Sequence, residues 1–208
     1  MAVNYTNALD TQHMSSALHD YEIARSGFFT FIVDGLEDLV KYAKNPNVNG
    51  DTYDGLLAQN YIALSVVKAP VPQGELGTES IKRGNEVINF ATTPSWSSGS
   101  LTVDDFVGLD IKNVLMSWWN LAYNVKTGKG GYMKDYKKKC TLIEYTQNYE
   151  QIRSWTLYGC FITKVDEGDF DKENDGKRQI TVNIVYDRAI MNEDDSALTN
   201  LAPSNYNK

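Results

Sequence analysis

None of the side chains that could catalyse a reaction or bind a metal has the spacing that such a site requires. His13 and His19 are six residues apart and lie near no cysteine or carboxylate cluster, so they do not form a metal-binding pair. Serine, histidine and aspartate occur in no arrangement typical of a catalytic triad. We therefore expect a protein that is not an enzyme and that has no cofactor and no bound metal.

The acidic run Asp171–Gly176 alternates carboxylates and ends in glycine, as the beginning of a calcium-binding loop does. An EF-hand needs a bidentate glutamate at its twelfth position, and counting from Asp171 puts Val182 there. An acidic loop between two strands, over residues 166–176, is the better interpretation.

Two lysine-containing runs could contact phosphate groups. Lys126–Gly131 lacks the Gly-Lys-Ser/Thr ending of a phosphate-binding loop and follows a predicted helix instead of opening one, which indicates a flexible connection. Lys137, Lys138 and Lys139 could attract nucleic acid. Lysines at the beginning of a strand more commonly form a charged edge that discourages wrong pairing.

The charge and the chain's other bulk properties exclude several classes of protein. A formal net charge of -7 does not suit a protein that grips nucleic acid through its phosphates, although it suits one that lets a polyanion pass. The first 25 residues contain no signal-peptide-like apolar run, and no stretch approaches the roughly 18 apolar residues of a membrane span. We therefore expect a cytosolic origin, and hence free thiols at Cys140 and Cys160, which a hairpin between them would place nearly opposite each other.

The elements that would position these side chains are mostly strands. Aromatic residues make up 12% of the chain, which favours sheets. Residues 73–84, rich in glycine and charge, predict a long mobile loop. Apolar runs and alternation predict seven strands: Gly27–Val33, Tyr61–Val67, Asn85–Ala91, Ser100–Phe106, Lys138–Gln147, Ile152–Val165 and Gln179–Tyr186.

Helical periodicity is clearest between Asp110 and Asn124, with Asp110 as the N-cap. A shorter helix is predicted over Gly35–Lys44. The apolar stripe of the longer helix should pack on the sheet and comprises Ile111, Val114, Leu115, Trp118 and Ala122. The sequence thus predicts a mainly β, antiparallel domain with one substantial helix.

The order of these segments resembles that of the tail tube proteins of contractile-tailed bacteriophages, the T4 tube protein-like family. The resemblance covers most of residues 27–190 and departs from the family in extra length at both ends and around 46–54. It is carried by Gly27–Val33, Lys68–Gly74, Pro94, Trp96, Leu101–Val103, Trp118, Trp119, Asp135–Tyr145, Asn148–Cys160, Gly168–Asp171 and Gln179–Asp187.

The resemblance implies a small antiparallel β-barrel or sandwich with a flanking α-helix, in a domain over 27–191. Residues 1–26 would then be an N-terminal arm and 192–208 a flexible C-terminal tail. The family's subunits join into six-fold rings that stack into a tube, through which DNA passes without specific binding. The resemblance also implies a virion location, assembly in the bacterial cytoplasm, and sheath, baseplate, tail terminator and tape measure proteins as partners.

Alternation along the second strand of the predicted hairpin assigns its two faces. Trp155, Leu157 and Phe161 should face the subunit core, which leaves the other face for the tube lumen. The expected lumen residues are Ser154, Thr156 and Tyr158, joined from the partner strand by Glu144 unless that strand slips by one residue.

Three alternatives stay open from the sequence. The chain could form the tube of a related contractile injection or secretion system, with the same fold and different cargo. It could be another virion or baseplate β protein. It could also be a monomeric binding module such as a carbohydrate-binding sandwich, although its aromatic residues lie mostly at expected core positions.

Overall fold

A computed structural model describes residues 24–36, 39, 58–106, 111–172 and 176–191. The predicted helix Gly35–Lys44 lies outside these ranges except for Gly35, Leu36 and Leu39, of which Leu36 and Leu39 are buried. The Asp110 cap, the insertion around 45–54, the C-terminal tail and all but the last three residues of the N-terminal arm also lie outside them. In chain order the described strands and helices are β1 Phe29–Val33, α1 Ala58–Ser65, β2 Val66–Lys68, β3 Gly74–Arg83, β4 Glu86–Trp96, β5 Gly99–Asp104, α2 Ile111–Ala122, β6 Tyr123–Asn124, β7 Lys129–Gly130, α3 Met133–Tyr136, β8 Lys138–Tyr145, β9 Gln151–Asp166, β10 Gln179–Val185 and β11 Arg188–Met191.

The main sheet has seven antiparallel strands in the order β1-β8-β9-β10-β5-β2, and β11 pairs with β9 beside this path. The hairpin β3–β4 forms a separate two-stranded sheet, and so does the small pair β6–β7. The predicted mainly β, antiparallel fold with a flanking helix is confirmed. The described strands of the main sheet do not close into a barrel, because β1 and β2 end it on opposite sides.

Alternating side chains of the sheet and the stripe of α2 fill the core. On β10, Ile180, Val182 and Ile184 are fully buried, and Tyr186 follows them at 4% exposure, as the alternation predicts. Helix α2 packs on β9, and its buried residues are Ile111, Val114, Leu115 and Trp118. The predicted stripe is thus confirmed, except that Ala122 at its end is only half-buried.

Two predicted elements are wrong. The run Tyr61–Val67 is not a strand: it is mostly helical, in α1, and only its last two residues belong to β2. Within α1 the Ser65 hydroxyl donates a hydrogen bond to the Ile62 carbonyl at 3.0 Å, and both residues are buried. A short apolar run fits a buried helix as well as a strand, and here packing against β1 decides for the helix.

The predicted mobile loop over 73–84 is strand β3, which pairs with β4 along almost its whole length. Gly84 and Asn85 form the connection between them, and Gly84 has a φ of +61°, which explains why glycine stands there. The predicted linker Val125–Gly131 likewise contains β7 and part of a tight turn, where the Gly128 backbone N–H donates to the Asn124 carbonyl at 2.8 Å.

Strand β9 bends at Gly159 and so belongs to both halves of the sheet. Its first part pairs with β8 and β11, and its last part pairs with β10. Gly159 has a φ of +70°, and a Cβ there would lie 2.7 Å from the Cγ atom of Asp187. Asp187 is held nearby because its backbone N–H donates to the Tyr158 carbonyl at 2.9 Å. The backbone conformation therefore favours glycine, and any larger residue would have to displace the Asp187 side chain.

We expect Trp118→Ala to lower the free energy of unfolding by about 3–5 kcal/mol, as for other large core truncations. Trp118 is 1% exposed, and its indole N–H donates to the Tyr136 carbonyl at 2.8 Å, so the substitution loses both packing and a hydrogen bond. Urea unfolding measures the effect, with Trp119→Ala as the matched control, since Trp119 is only half-buried. Equal stability of the two variants would contradict this account of the helix.

We expect Gly159→Ala to cost about 3 kcal/mol or more, because positive-φ strain adds to a clash with Asp187. Gly168→Ala is the control: its φ is +65° but no atom lies within 4 Å of the added Cβ, so only the strain of about 1–2 kcal/mol remains. Thermal unfolding of the two variants compares them directly, and an equal loss would mean that the Asp187 contact is unimportant.

Candidate assembly surfaces

The described part of the chain contains no group of three or more histidine, cysteine or acidic side chains placed to hold a metal ion. The described carboxylates at the end of β9 are engaged with neighbouring groups instead. Asp166 accepts hydrogen bonds from the Lys164 ammonium and the Gly168 backbone N–H, and these contacts lower its pKa. The Gln179 amide and Lys177 likewise lower the pKa of Asp104, against a smaller opposing effect of burial.

The two cysteines lie in the core beside the bend of β9. Both thiols are free and fully buried, but they are not directly opposite, because the register pairs Cys140 with Leu157 and Lys138 with Cys160. The Cys160 thiol donates to the Leu157 carbonyl at 3.5 Å. Burial, and then the neighbouring Cys160, raises the pKa of Cys140, so Cys140 is a protonated core residue at neutral pH.

Three of the four expected lumen residues share a sheet face. Ser154, Thr156 and Tyr158 alternate along β9 with Trp155 and Leu157, and Leu157 is fully buried in the core. Thr156 is flanked by Thr141 of β8 and Ile190 of β11. We call this side of the β1-β8-β9-β11 half of the sheet the hydroxyl face.

Glu144 is not on the hydroxyl face. It stands opposite Arg153 and forms an ion pair with it at 2.9 Å, on the same side as Leu142 and Trp155. The loop 146–150 shifts the pairing, so that partner residue numbers sum to 297 (144 + 153) and not to about 300. An odd shift reverses the face of every residue on β8, which is the slip that the sequence left open.

The core assignment of Phe161 is also wrong, for a related reason. The irregular pairing around Gly159 changes which positions face inward, so Cys160 and Ile162 are buried after the bend. Phe161 lies on the other side, where its ring meets that of Tyr136 edge-on with a centroid distance of 5.5 Å.

Basic charges, not acidic ones, stand beside Tyr158 on the hydroxyl face. The Arg188 guanidinium lies 4.9 Å from the centre of the Tyr158 ring and the Lys139 ammonium lies 5.8 Å from it. Asp187, which precedes Arg188 in the chain, forms an ion pair with Lys137 at 2.6 Å. Glu144 does not share this face, because it stands opposite Arg153.

The hairpin β3–β4 presents apolar side chains that the described chain does not cover. Leu76, Val87 and Ile88 are 53–60% exposed, and Ile81 and Phe90 are also exposed. The sequence missed this surface because glycine and charge in 73–84 suggested a loop. The Gly84-Asn85 pair between two strand-compatible runs was the available signal.

The base of this hairpin is fixed to the body of the subunit. The Gln73 backbone N–H donates to the Tyr186 hydroxyl at 3.4 Å, and the Ser97 backbone N–H donates to the Gln73 carbonyl at 3.1 Å. The Tyr186 ring lies 6.2 Å from the Trp96 ring, and burial raises the pKa of this tyrosine. The hairpin therefore leaves the body in a defined direction.

Comparison with protein families decides the class of the protein. A family model described as "T4-like virus tail tube protein gp19" matches residues 65–189. The chain belongs to this family. The resemblance seen in the sequence is thereby confirmed, and the matched range runs from the end of α1 through the hairpin and the core to β11. This tail tube protein has no match among curated proteins.

Solved structures with a similar fold include two from an anti-feeding prophage. The anti-feeding prophage cap (the AFP tube terminating cap) has a TM-score of 0.54 at 13% identity, covering 92% of this chain and 98% of that one. The anti-feeding prophage baseplate structure has a TM-score of 0.50 at 12% identity, covering 82% and 95%. At these identities the likeness shows a shared fold. Among the described helices, none is long and apolar enough to cross a membrane.

Proposed function

We propose that this tail tube protein is a non-catalytic structural subunit that assembles with copies of itself into six-membered rings, which stack into a tube. The observation that carries the proposal is the exposed apolar hairpin β3–β4 on a member of the tail tube family. A projecting two-stranded sheet with bare edges and apolar side chains is hazardous in a monomer, and burial between copies removes the hazard.

The assembling unit in this proposal is the domain over 27–191, with residues 1–26 as an arm and 192–208 as a tail. The tube would belong to the virion tail, be assembled in the host bacterial cytoplasm, and carry DNA without specific contacts during ejection. Its partners would be sheath, baseplate, tail terminator and tape measure proteins. The baseplate and cap assemblies that contain similar folds favour the baseplate and terminator partners.

A second candidate keeps the same assembly and changes the cargo. The chain would then form the tube of a contractile injection system, as the similar folds come from an anti-feeding prophage. The genes that accompany this one distinguish the two: capsid and packaging genes accompany a phage tube, and a toxin or effector gene accompanies an injection system.

We further propose that the hydroxyl face lines the lumen, with Ser154, Thr156 and Tyr158 on the wall. Hydroxyl side chains alternate on this face with Ile143 and Ile190, so the wall offers a passing polyanion short polar groups between aliphatic ones. The Lys139 and Arg188 charges beside Tyr158 are held against its ring, so they are the wall's charged positions in each subunit. Glu144 stays away from the wall, in its ion pair with Arg153.

We expect the concentrated, purified protein to form rings and tubes in negative-stain electron microscopy. In light scattering the mass should rise to at least six subunits, with or without a baseplate complex to start the tube. Protein that stays monomeric under both conditions would contradict the proposed function and favour a monomeric binding module.

A cryo-EM map of the tube tests the lumen assignment. We expect Ser154 at the channel surface, Thr156 on the same side but only 7% exposed between Thr141 and Ile190, and Trp155 and Leu157 turned away from the channel. Ser154→Cys gives a second measurement: in assembled tubes this thiol should react with a small maleimide far faster than with one carrying a large polymer that cannot enter the channel. Exposure of Trp155 to the channel, or equal reaction with both reagents, would contradict the assignment.

A further inference from the structure

A groove of about 590 Å³ lies where the main sheet fails to close. Two of its walls are the edge strands of the main sheet: β1 with the residues before it, and β2 with the residues after it. The hairpin β8–β9 forms the third wall. We call it the seam groove. Its apolar lining includes Phe28, Phe29, Val67, Val71, Leu142 and Ile152.

The charged residues of the seam groove are two cations and one engaged carboxylate. Arg25 and Lys68 line it and form no ion pair with any described residue. Glu144, the acidic group of the lining, is bound to Arg153. An occupant that suits the groove therefore brings apolar side chains together with carboxylates.

One face of the hairpin β3–β4 has this composition. Ile81 stands directly opposite Ile88, and Phe90 stands opposite Glu79, so all four share one face. Glu86 and Arg83 follow on the same face at the tip. In the described chain neither Glu79 nor Glu86 forms an ion pair.

The hairpin cannot place this face in the groove of its own subunit. Strand β3 has 10 residues and extends about 33 Å from a base fixed at Gln73, Trp96 and Tyr186. Val71, which lines the groove, is only two residues before Gln73 at the base of the hairpin, so the groove lies beside that base and the tip is far from it. A hairpin that occupies the groove therefore belongs to another molecule.

We propose that the seam groove accepts the β3–β4 hairpin of a second copy of this chain. The Ile81, Ile88 and Phe90 face fills the apolar groove, and Glu79 and Glu86 lie near Arg25 and Lys68. Because the hairpin and the groove are different surfaces of one chain, the contact is head-to-tail and continues from copy to copy. This inference rests on the proposed function, for which it names one joint between subunits.

Two single substitutions test the two sides of the joint. Val71→Glu alters the groove and Ile88→Glu alters the hairpin, and both residues are more than half exposed, so neither change should disturb the monomer's own core. Each should raise the critical concentration for assembly at least about tenfold, because each buries an unpaired carboxylate in an apolar contact. Val125→Glu is the matched control: this exposed valine follows β6 and belongs to neither the groove lining nor the hairpin, so the variant should assemble as the unaltered protein does.

Mixing the two variants distinguishes this joint from any other interface. Each variant keeps one working surface, so a 1:1 mixture should give a heterodimer in native mass spectrometry, while either variant alone stays monomeric. Normal assembly by both variants, or a mixture without heterodimer, would overturn the proposal. If the unaltered protein forms tubes in either case, the proposed function stands and only the joint is wrong; if the unaltered protein never assembles, the function itself is wrong.

Discussion

The bend of β9 at Gly159 is the constraint on which the rest of the fold depends. The strand is 16 residues long and pairs with β8 and β11 before the bend and with β10 after it. Because one strand serves both halves, the sheet curves around a single core, and α2 packs against this strand. The positive φ of Gly159 and its close approach to Asp187 hold the bend in place. Asp187 also belongs to the short connection between β10 and β11, and β11 starts at the next residue.

The subunit keeps its core and its assembly surfaces apart. The residues of the core are almost all aliphatic, aromatic or sulfur-containing, and every described buried polar side-chain atom has a hydrogen-bond partner. The hairpin and the seam groove, by contrast, present apolar side chains and unpaired charges together. The described interior needs no partner to satisfy its buried polar side chains, whereas mixed apolar and charged surfaces gain from contact with another copy.

The acidic net charge of the chain does not describe every surface of it. One lysine and one arginine lie against the Tyr158 ring, although the chain as a whole carries a formal charge of -7. Tertiary pairing brings Lys139 of β8 and Arg188 of β11 to the same tyrosine from positions 49 residues apart (188 - 139). A charge balance over the whole sequence therefore describes the long-range field of the protein, but not the charge of one face.

The sequence by itself determined the class of fold, the family and most of the core. Strict alternation on β10 and helical spacing on α2 each leave only one face that can be buried, so Ile180 and Trp118 were placed correctly. The tertiary structure decided what local patterns leave ambiguous. The apolar run at Ile62 is helical because of its packing. The sheet face of Glu144 depends on the length of the loop before β9, and that of Phe161 depends on the bend at Gly159. Each of these moves a strand by an odd number of residues. Register depends on pairing between distant segments of the chain. Because side chains alternate between the two faces of a strand, a shift by one residue moves every side chain to the opposite face without any change in the local sequence.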